Sequence, residues 1–393
     1  MPADMQPLPA NAAKSPAAGP RLRFDRNELS GAFGDLGTDL PLLVGMVLAA
    51  GLDAASVLVV FGLAQVATGI HYRMPMPVQP LKAVAVIVIA QQLSPEVIAG
   101  GGLAIGGVML VLALTGALEW LARVIPVAVV RGLQLGLGLQ LTILAAWRYI
   151  PSLGTSGLIL AAAAALIVLA LLGNRRVPPA PFVIVLGMAY ALVYASPPGS
   201  IADGFGLALP SMRTPSIADI ATGFIVLALP QLPLSLGNSI LATERLTTDL
   251  FPDRPVGVRR IGITYGLMNL VAPWLGGVPV CHGSGGLAGH YALGGRTGGS
   301  VVIYGTVFLA AGLFFSGAFA ELVSTFPLPV LGVLLGVEGL ALIILIRTLP
   351  RGEATGLPLA LFVGGVVVVA PYGYATGLVA GGAAGWILSR RRL

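Results

Sequence analysis

Apolar runs of bilayer-crossing length follow one another along this chain, separated by short breaks that carry charge, proline or glycine. A helix rises about 1.5 Å per residue, so about 20 apolar residues cross the hydrocarbon core of a membrane. The pattern predicts full spans at 32–51, 54–72, 97–119, 127–147, 154–173 and 180–197, then at 217–241, 258–276, 299–320, 328–347, 355–371 and 373–389. Two further apolar segments, near 80–92 and 282–293, are too short for an ordinary span, and each follows a Pro-rich or Gly-rich break. Counted as half-helices they bring each half of the chain to seven segments, fourteen in all. The expected fold class is therefore an all-α polytopic membrane protein.

Basic residues test that count. With the N-terminus inside, the cytoplasmic breaks hold Lys14, Arg21, Arg23, Arg26, Arg73, Arg123, Arg175 and Arg176, then Arg245, Arg254, Arg259, Arg260, Arg296, Arg347, Arg351, Arg390, Arg391 and Arg392. The opposite side receives chiefly Arg148 and Arg213. The asymmetry obeys the positive-inside rule and would be scrambled by one span more or less. Both termini are expected in the cytoplasm, and the membrane is expected to be the cell's inner (plasma) membrane.

The two halves resemble each other. FGLAQVATGIHYRMP (61–75) aligns without a gap on YGLMNLVAPWLGGVP (265–279), matching Gly62 with Gly266, Leu63 with Leu267, Gln65 with Asn269 and Pro75 with Pro279. Gly34-Asp35 falls opposite Gly237-Asn238, and RGLQLG (131–136) opposite LGVLLG (331–336). Seven spans is an odd number, so the second half must enter the membrane upside down. The expected organisation is a cytoplasmic, disordered tail at 1–28, a first seven-segment repeat at 29–200 and an inverted second repeat at 215–393. Inverted-repeat transporters bind substrate near the midplane, where discontinuous helices meet. Here the discontinuities are PMPVQPLK (75–82) and PVCHGSGGLAG (279–289). Each opens a half-helix whose unpaired N–H groups and positive dipole end point inward, which favours an anion.

Candidate substrate ligands follow from that placement. Gln79, Pro80 and Lys82 stand at the first break, and an ammonium among apolar residues marks a pathway unless it snorkels to the interface. His282, Gly283, Ser284 and Gly285 stand at the second, where glycines admit close approach and Ser284 offers a hydroxyl. Gln231 and Asn238 lie in the proline-kinked run PQLPLSLGNS (230–239), with polar glue between helices as the competing role. The intramembrane acids Asp35, Asp39 and Glu338 are coupling candidates, although Asp35 could simply cap its helix. Cys281 reads as a small packing residue.

Composition adds exclusions. Of 393 residues 56% are hydrophobic and 10% charged, with a mean hydropathy of +0.92; a soluble chain of this size needs far more charge on its surface. The net charge of +6 comes from arginines at segment ends, so nucleic acid is not an expected partner. A single cysteine rules out an intrachain disulfide. No cofactor or metal site is indicated, and no long polar stretch after the last run suggests a soluble regulatory domain.

FGDLGTDLP, MPMPVQPLKA, PQLPLSLGNSILAT, the following TDLFP, and YGLMNL running into PVCHGSGGLAGHY occur together in this order. In these strings the chain resembles the molybdate transporter family, a relative of the SulP sulfate permeases. The resemblance implies the seven-plus-seven inverted repeat shared by sulfate, bicarbonate and nucleobase transporters, with core and gate domains, no STAS domain and dimerisation. It implies import of a tetrahedral oxyanion, molybdate foremost, by alternating access with H⁺ as the co-transported ion, and substrate bound between Gln79–Lys82 and His282–Gly285. Asp39 departs from the plant members, which carry an uncharged residue there. The alternatives are a sulfate or broad-specificity inorganic anion transporter, a channel, and, least favoured, an intramembrane hydrolase built on Ser284 with His282 or His290.

Overall fold

The computed structural model describes residues 21–124, 126–172, 179–195, 204–349 and 356–390. Most of the expected tail, with Lys14, lies outside those residues, as do Arg175, Arg176, Arg351, Arg391 and Arg392. The described chain is almost wholly helical, and its outward side chains are apolar: Leu166, Val185 and Val369 are 66%, 62% and 84% exposed. Large aliphatic groups left facing outward on helices of this length have lipid as their natural solvent.

Six helical stretches among the described residues are long and apolar enough to cross a membrane, and seven if a pair bent by 92° at 299–325 counts as one. The first half contains α1 (Arg26–Ala32), α2 (Leu36–Ala50), α3 (Ala54–Tyr72), α4 (Lys82–Gln91), α5 (Pro95–Thr115), α6 (Ala117–Val124), α7 (Val127–Leu144), α8 (Gly154–Leu171) and α9 (Pro179–Tyr190). The second half opens with one long helical stretch, α10 (Ile217–Leu250), interrupted by π-helical turns at Phe224–Ala228 and Ser235–Leu241. It continues with α11 (Val258–Val271), α12 (Ser284–Ala292), α13 (Gly299–Phe314), α14 (Ser316–Thr325), α15 (Leu328–Ile344), α16 (Gly356–Val369) and α17 (Gly373–Arg390).

Helix ends follow local chemistry. Asp25 caps α1, Asp53 caps α3 and Ser94 caps α5, each accepting backbone N–H groups of the first turn. Because α1 starts at Arg26, the last residues assigned to a disordered tail are ordered instead. Glu28 is fully buried, and its carboxylate accepts the N–H groups of Arg296 (3.0 Å), Thr297 (2.9 Å) and Ser300 (2.9 Å). It thereby closes the N-terminus of α13, a carboxylate at the positive end of a helix.

Two short strands, β1 (Val78–Pro80) and β2 (Val280–His282), pair antiparallel inside the helical assembly, with Gln79 opposite Cys281. The sequence pattern predicted half-helices from about 80 and 282; their first residues are extended, and helix begins at Lys82 and Ser284. Backbone groups cannot remain unpaired within a membrane, and each strand finds a side-chain clamp. Gln65 on α3 donates to the Val78 carbonyl (2.7 Å) and accepts the Val78 N–H (2.9 Å). Asn269 on α11 does the same for Val280, at 2.6 and 2.9 Å. The aligned amides thus have equivalent roles, but the register slips by two residues after them: Pro77 precedes its strand as Pro279 does, so Pro75 is not the counterpart of Pro279.

The helices around the strands pack in a reciprocal manner. α3 runs along α13, and α11 along α5. A Cβ at Gly62 would come within 2.7 Å of the Gly305 carbonyl, and one at Gly106 within 2.9 Å of the Gly266 carbonyl. Only glycine permits these crossings, as is common between helices in lipid. α7 packs on α15 and α16, while α15 also touches α8 and α2.

Candidate functional site

Between these helix groups lies a cavity of about 210 Å³, into which Gln79, Lys82, Gln134, Gln231, Asn238, Cys281 and Gly283–Gly285 open. Of the predicted ligands, Gln79, Lys82, Gln231, Asn238, Gly283, Ser284 and Gly285 are brought together here. Pro80 and His282 are not part of the lining. Successive strand residues point to opposite faces, so Cys281 faces the cavity and His282 is turned away from it. His282 is fully buried, its Nε2 2.8 Å from Thr264 Oγ1 and its ring edge-to-face with Tyr72 at 5.3 Å.

The two half-helix ends are not alike. At α4, Gln231 reaches across from α10 and its Oε1 accepts the N–H groups of Ala83 (3.0 Å) and Val84 (3.3 Å). Its Nε2 donates to Ser235 Oγ (2.9 Å), which is hydrogen-bonded to the Tyr265 hydroxyl at 2.7 Å. Two of the three free donors expected at this end are therefore already taken and Gln231 is held by them, while the Lys82 N–H has no acceptor among the described residues. At α12 no side chain caps the helix; the first helical bond is from Leu287 N–H to the Gly283 carbonyl (3.0 Å). The N–H groups of Ser284, Gly285 and Gly286 have no acceptor among the described residues. A Cβ on Gly285 would meet nothing within 4 Å, so this turn is open.

The charged groups stand around that turn. Lys82 pairs with Glu338 of α15, their side chains 33% and 19% exposed; the lysine does not snorkel away. Asp35 occupies the cap position of α2 but makes no capping bond. Its Oδ1 accepts from Gln79 Nε2 at 2.6 Å, while Oδ2 is buried without a partner. That free oxygen lies over Gly286, where a Cβ would overlap it. Asp39 is also fully buried, with Tyr304 donating to Oδ2 at 3.1 Å and Oδ1 unpaired. Asn238 accepts from Gln134 (2.8 Å), which in turn accepts from Arg131 (2.7 Å).

Sequence reasoning missed Gln134 and Ser239, which line the cavity, and Tyr304, the partner of Asp39. Gln134 was legible as the one amide within RGLQLG, a string already singled out. Tyr304 had no signal, since its partner Asp39 is 265 residues away. Cys281, expected as packing, lines the cavity. A hydrolytic dyad is absent among the described residues: His282 faces away from Ser284, and His290 Nδ1 is instead 3.1 Å from Ser300 Oγ.

Comparison with known proteins agrees with this picture. A family model described as "Molybdate transporter of MFS superfamily" matches residues 27–141 and 223–342. Molybdate transporter 2 of Arabidopsis thaliana is 36% identical over 371 residues, covering 82% of this chain and 80% of its own. Molybdate transporter 1 of the same plant is 34% identical, covering 83% and 81%; that of Chlamydomonas reinhardtii is 29% identical, covering 92% and 94%. The fold is similar to that of the transmembrane domain of the cyanobacterial bicarbonate transporter BicA (TM-score 0.65, 16% identity, 89% of this chain and 97% of that one). It is also similar to murine Slc26a9, an anion transporter in the inward-facing state (TM-score 0.73, 14% identity, 94% and 69%). With a sequence match that spans both halves and a polytopic helical fold like that of these solved transporters, the chain belongs to the molybdate transporter family and is an integral membrane transporter, not an enzyme.

Proposed function

We propose that the chain imports a tetrahedral oxyanion, molybdate foremost, by alternating access with a proton as the coupled ion. The observation that carries this reading is the uncapped N-terminal turn of α12, which opens on the cavity beside Lys82. Unpaired N–H donors and a positive helix end bind oxyanions from backbone alone. Molybdate itself comes from the names of the relatives.

Proton coupling is supported by the position of Asp35. An anion on the first turn of α12 and a negative charge on Asp35 Oδ2, lying over that same turn, repel each other. Anion and proton therefore bind together at less cost than either alone, which is a positive coupling between sites. Asp39, behind it, and Glu338, beside Lys82, are the further acids of this system.

In the same reading residues 29–200 and 215–393 form an inverted repeat of seven plus seven segments. Its support is the matching Gln65 and Asn269 clamps and the reciprocal packing of α3 on α13 and α11 on α5. α7–α9 with α15–α17 would form the gate, and the remaining long helices the core. Arg254 donates to the carbonyls of Arg73 and Arg296, and Arg260 to that of His71, so these arginines gather at one end. The positive-inside rule makes that end cytoplasmic.

The test is a titration of purified protein with molybdate, tungstate and sulfate side by side, followed by uptake into liposomes under an imposed pH gradient. Molybdate binding, and uptake accelerated by an inward proton gradient in the native protein but not in Asp35→Asn, is the expected result. Binding of sulfate with molybdate ignored would overturn the substrate; indifference of native uptake to the gradient would overturn the coupling.

A further inference from the structure

Among the described residues Lys82 is the sole cation lining the cavity, and it is already engaged. Its ammonium donates to Glu338 Oε1, and that carboxylate has no other partner among the described residues. Leu342, one turn beyond Glu338 on α15, lines the cavity, so the ion pair lies at the cavity wall and not behind it. Asp35, held by Gln79, adds a second acid nearby, and Asp39 a third further in. As the site stands, an entering anion meets a lysine whose charge is spent on an internal carboxylate.

From this arrangement we infer that Glu338 is an internal anion that keeps the substrate's place on Lys82, and that substrate binding exchanges one partner for the other. This rests on the oxyanion reading of the cavity. Both side chains keep part of their surface open, so the exchange does not require a fully buried charge to be stranded. A dianion brings two charges to an ammonium that has been balancing one, and the α12 backbone donors add to the gain. The carboxylate released is left at the cavity edge, where water or a proton can satisfy it.

The exchange has a consequence for movement. Lys82 opens α4, which packs chiefly on α2 and the α10 stretch and lightly on α7, whereas Glu338 rides on α15, which packs chiefly on α7 and α8 and lightly on α2. The pair therefore ties two helix groups across the substrate cavity. Substrate that takes Lys82 loosens this tie at the moment of loading. A ligand shifts a conformational equilibrium only through contacts that differ between the states, and this is such a contact. Glu338 is on this account a positioning residue: it acts on the substrate through Lys82.

Molybdate affinity measured by calorimetry on the native protein, Glu338→Gln, Lys82→Gln and the double variant tests the inference, with thermal melting as the check on folding. Glu338→Gln is expected to bind molybdate about tenfold more tightly than the native protein, roughly 1.4 kcal/mol, with no matching rise in maximal uptake rate. Lys82→Gln is expected to bind more weakly, and adding Glu338→Gln to it should recover little. Unchanged or weaker binding by Glu338→Gln overturns the inference, as does a full tenfold gain in the Lys82→Gln background, which would mean that Glu338 acts through its charge at a distance. Should Glu338→Gln melt early, Glu338→Ala provides the same comparison. Failure of native and variant proteins alike to bind molybdate, tungstate or sulfate rejects the oxyanion reading and this inference with it; binding by the native protein without the gain rejects the inference alone.

Discussion

Gly285→Ala separates a role in binding from a role in folding. Gly285 is the second residue of α12, faces the cavity, and has nothing within 4 Å of where a Cβ would stand. A methyl there creates no clash. In a helix, alanine is favoured over glycine by up to about 1 kcal/mol, so the variant should melt at the native temperature or slightly above it. The same methyl occupies the approach to the unpaired N–H groups of the first turn. Hydrogen bonds to a charged group contribute about 1.5–3 kcal/mol each, so losing one good bond weakens oxyanion binding roughly 10- to 100-fold. Calorimetric titration with molybdate and liposome uptake measure the loss, and thermal unfolding measures the fold. Cys281, the one cysteine of the chain, lines the same cavity, so protection from thiol alkylation by bound molybdate offers a second reading of occupancy. Gly107→Ala on α5 is the control, since a Cβ there also meets nothing within 4 Å, outside the cavity. Native affinity in Gly285→Ala would refute the claim that the substrate sits on the α12 turn, whatever the protein transports.

Gln231→Leu should strand the Ala83 and Val84 N–H groups, and at about 1–3 kcal/mol for each buried unsatisfied group the melting temperature should drop by several degrees; native stability would show that α4 does not need this cap. Gln65→Leu and Asn269→Leu each remove two hydrogen bonds that anchor a strand. Both should destabilise by about 2–4 kcal/mol, and a large loss in one with none in the other would show that the two clamps are not equivalent.

Much of the candidate site was legible because membranes make polar residues conspicuous. An amide or acid within an apolar run is costly unless it has a partner, so Gln79, Lys82, Gln231, Asn238 and Glu338 could be picked out without a structure. Partners were not legible in the same way. Glu338 is 256 residues from Lys82, and nothing in either segment names the other. His282 illustrates the opposite failure: it adjoins the glycines that do line the cavity, yet the extended backbone of β2 turns it to the other face. The two-residue slip that puts Pro77, and not Pro75, just before its strand as Pro279 is before β2 was invisible for a related reason, since an ungapped alignment cannot register where helix gives way to strand.

By itself, the sequence determined the solvent, the approximate helices and the two breaks, because hydropathy over about 20 residues and the positions of proline, glycine and arginine are local properties of the chain. It also determined that helix N-termini, with backbone donors in need of partners, would stand at the two breaks. Only the tertiary structure decided which of those donors are free. Gln231, reaching over from α10, takes two of the three first-turn donors of α4, while no side chain among the described residues takes any of those of α12. That difference depends on which distant side chain arrives at each helix end, and such meetings are fixed by packing across the whole fold.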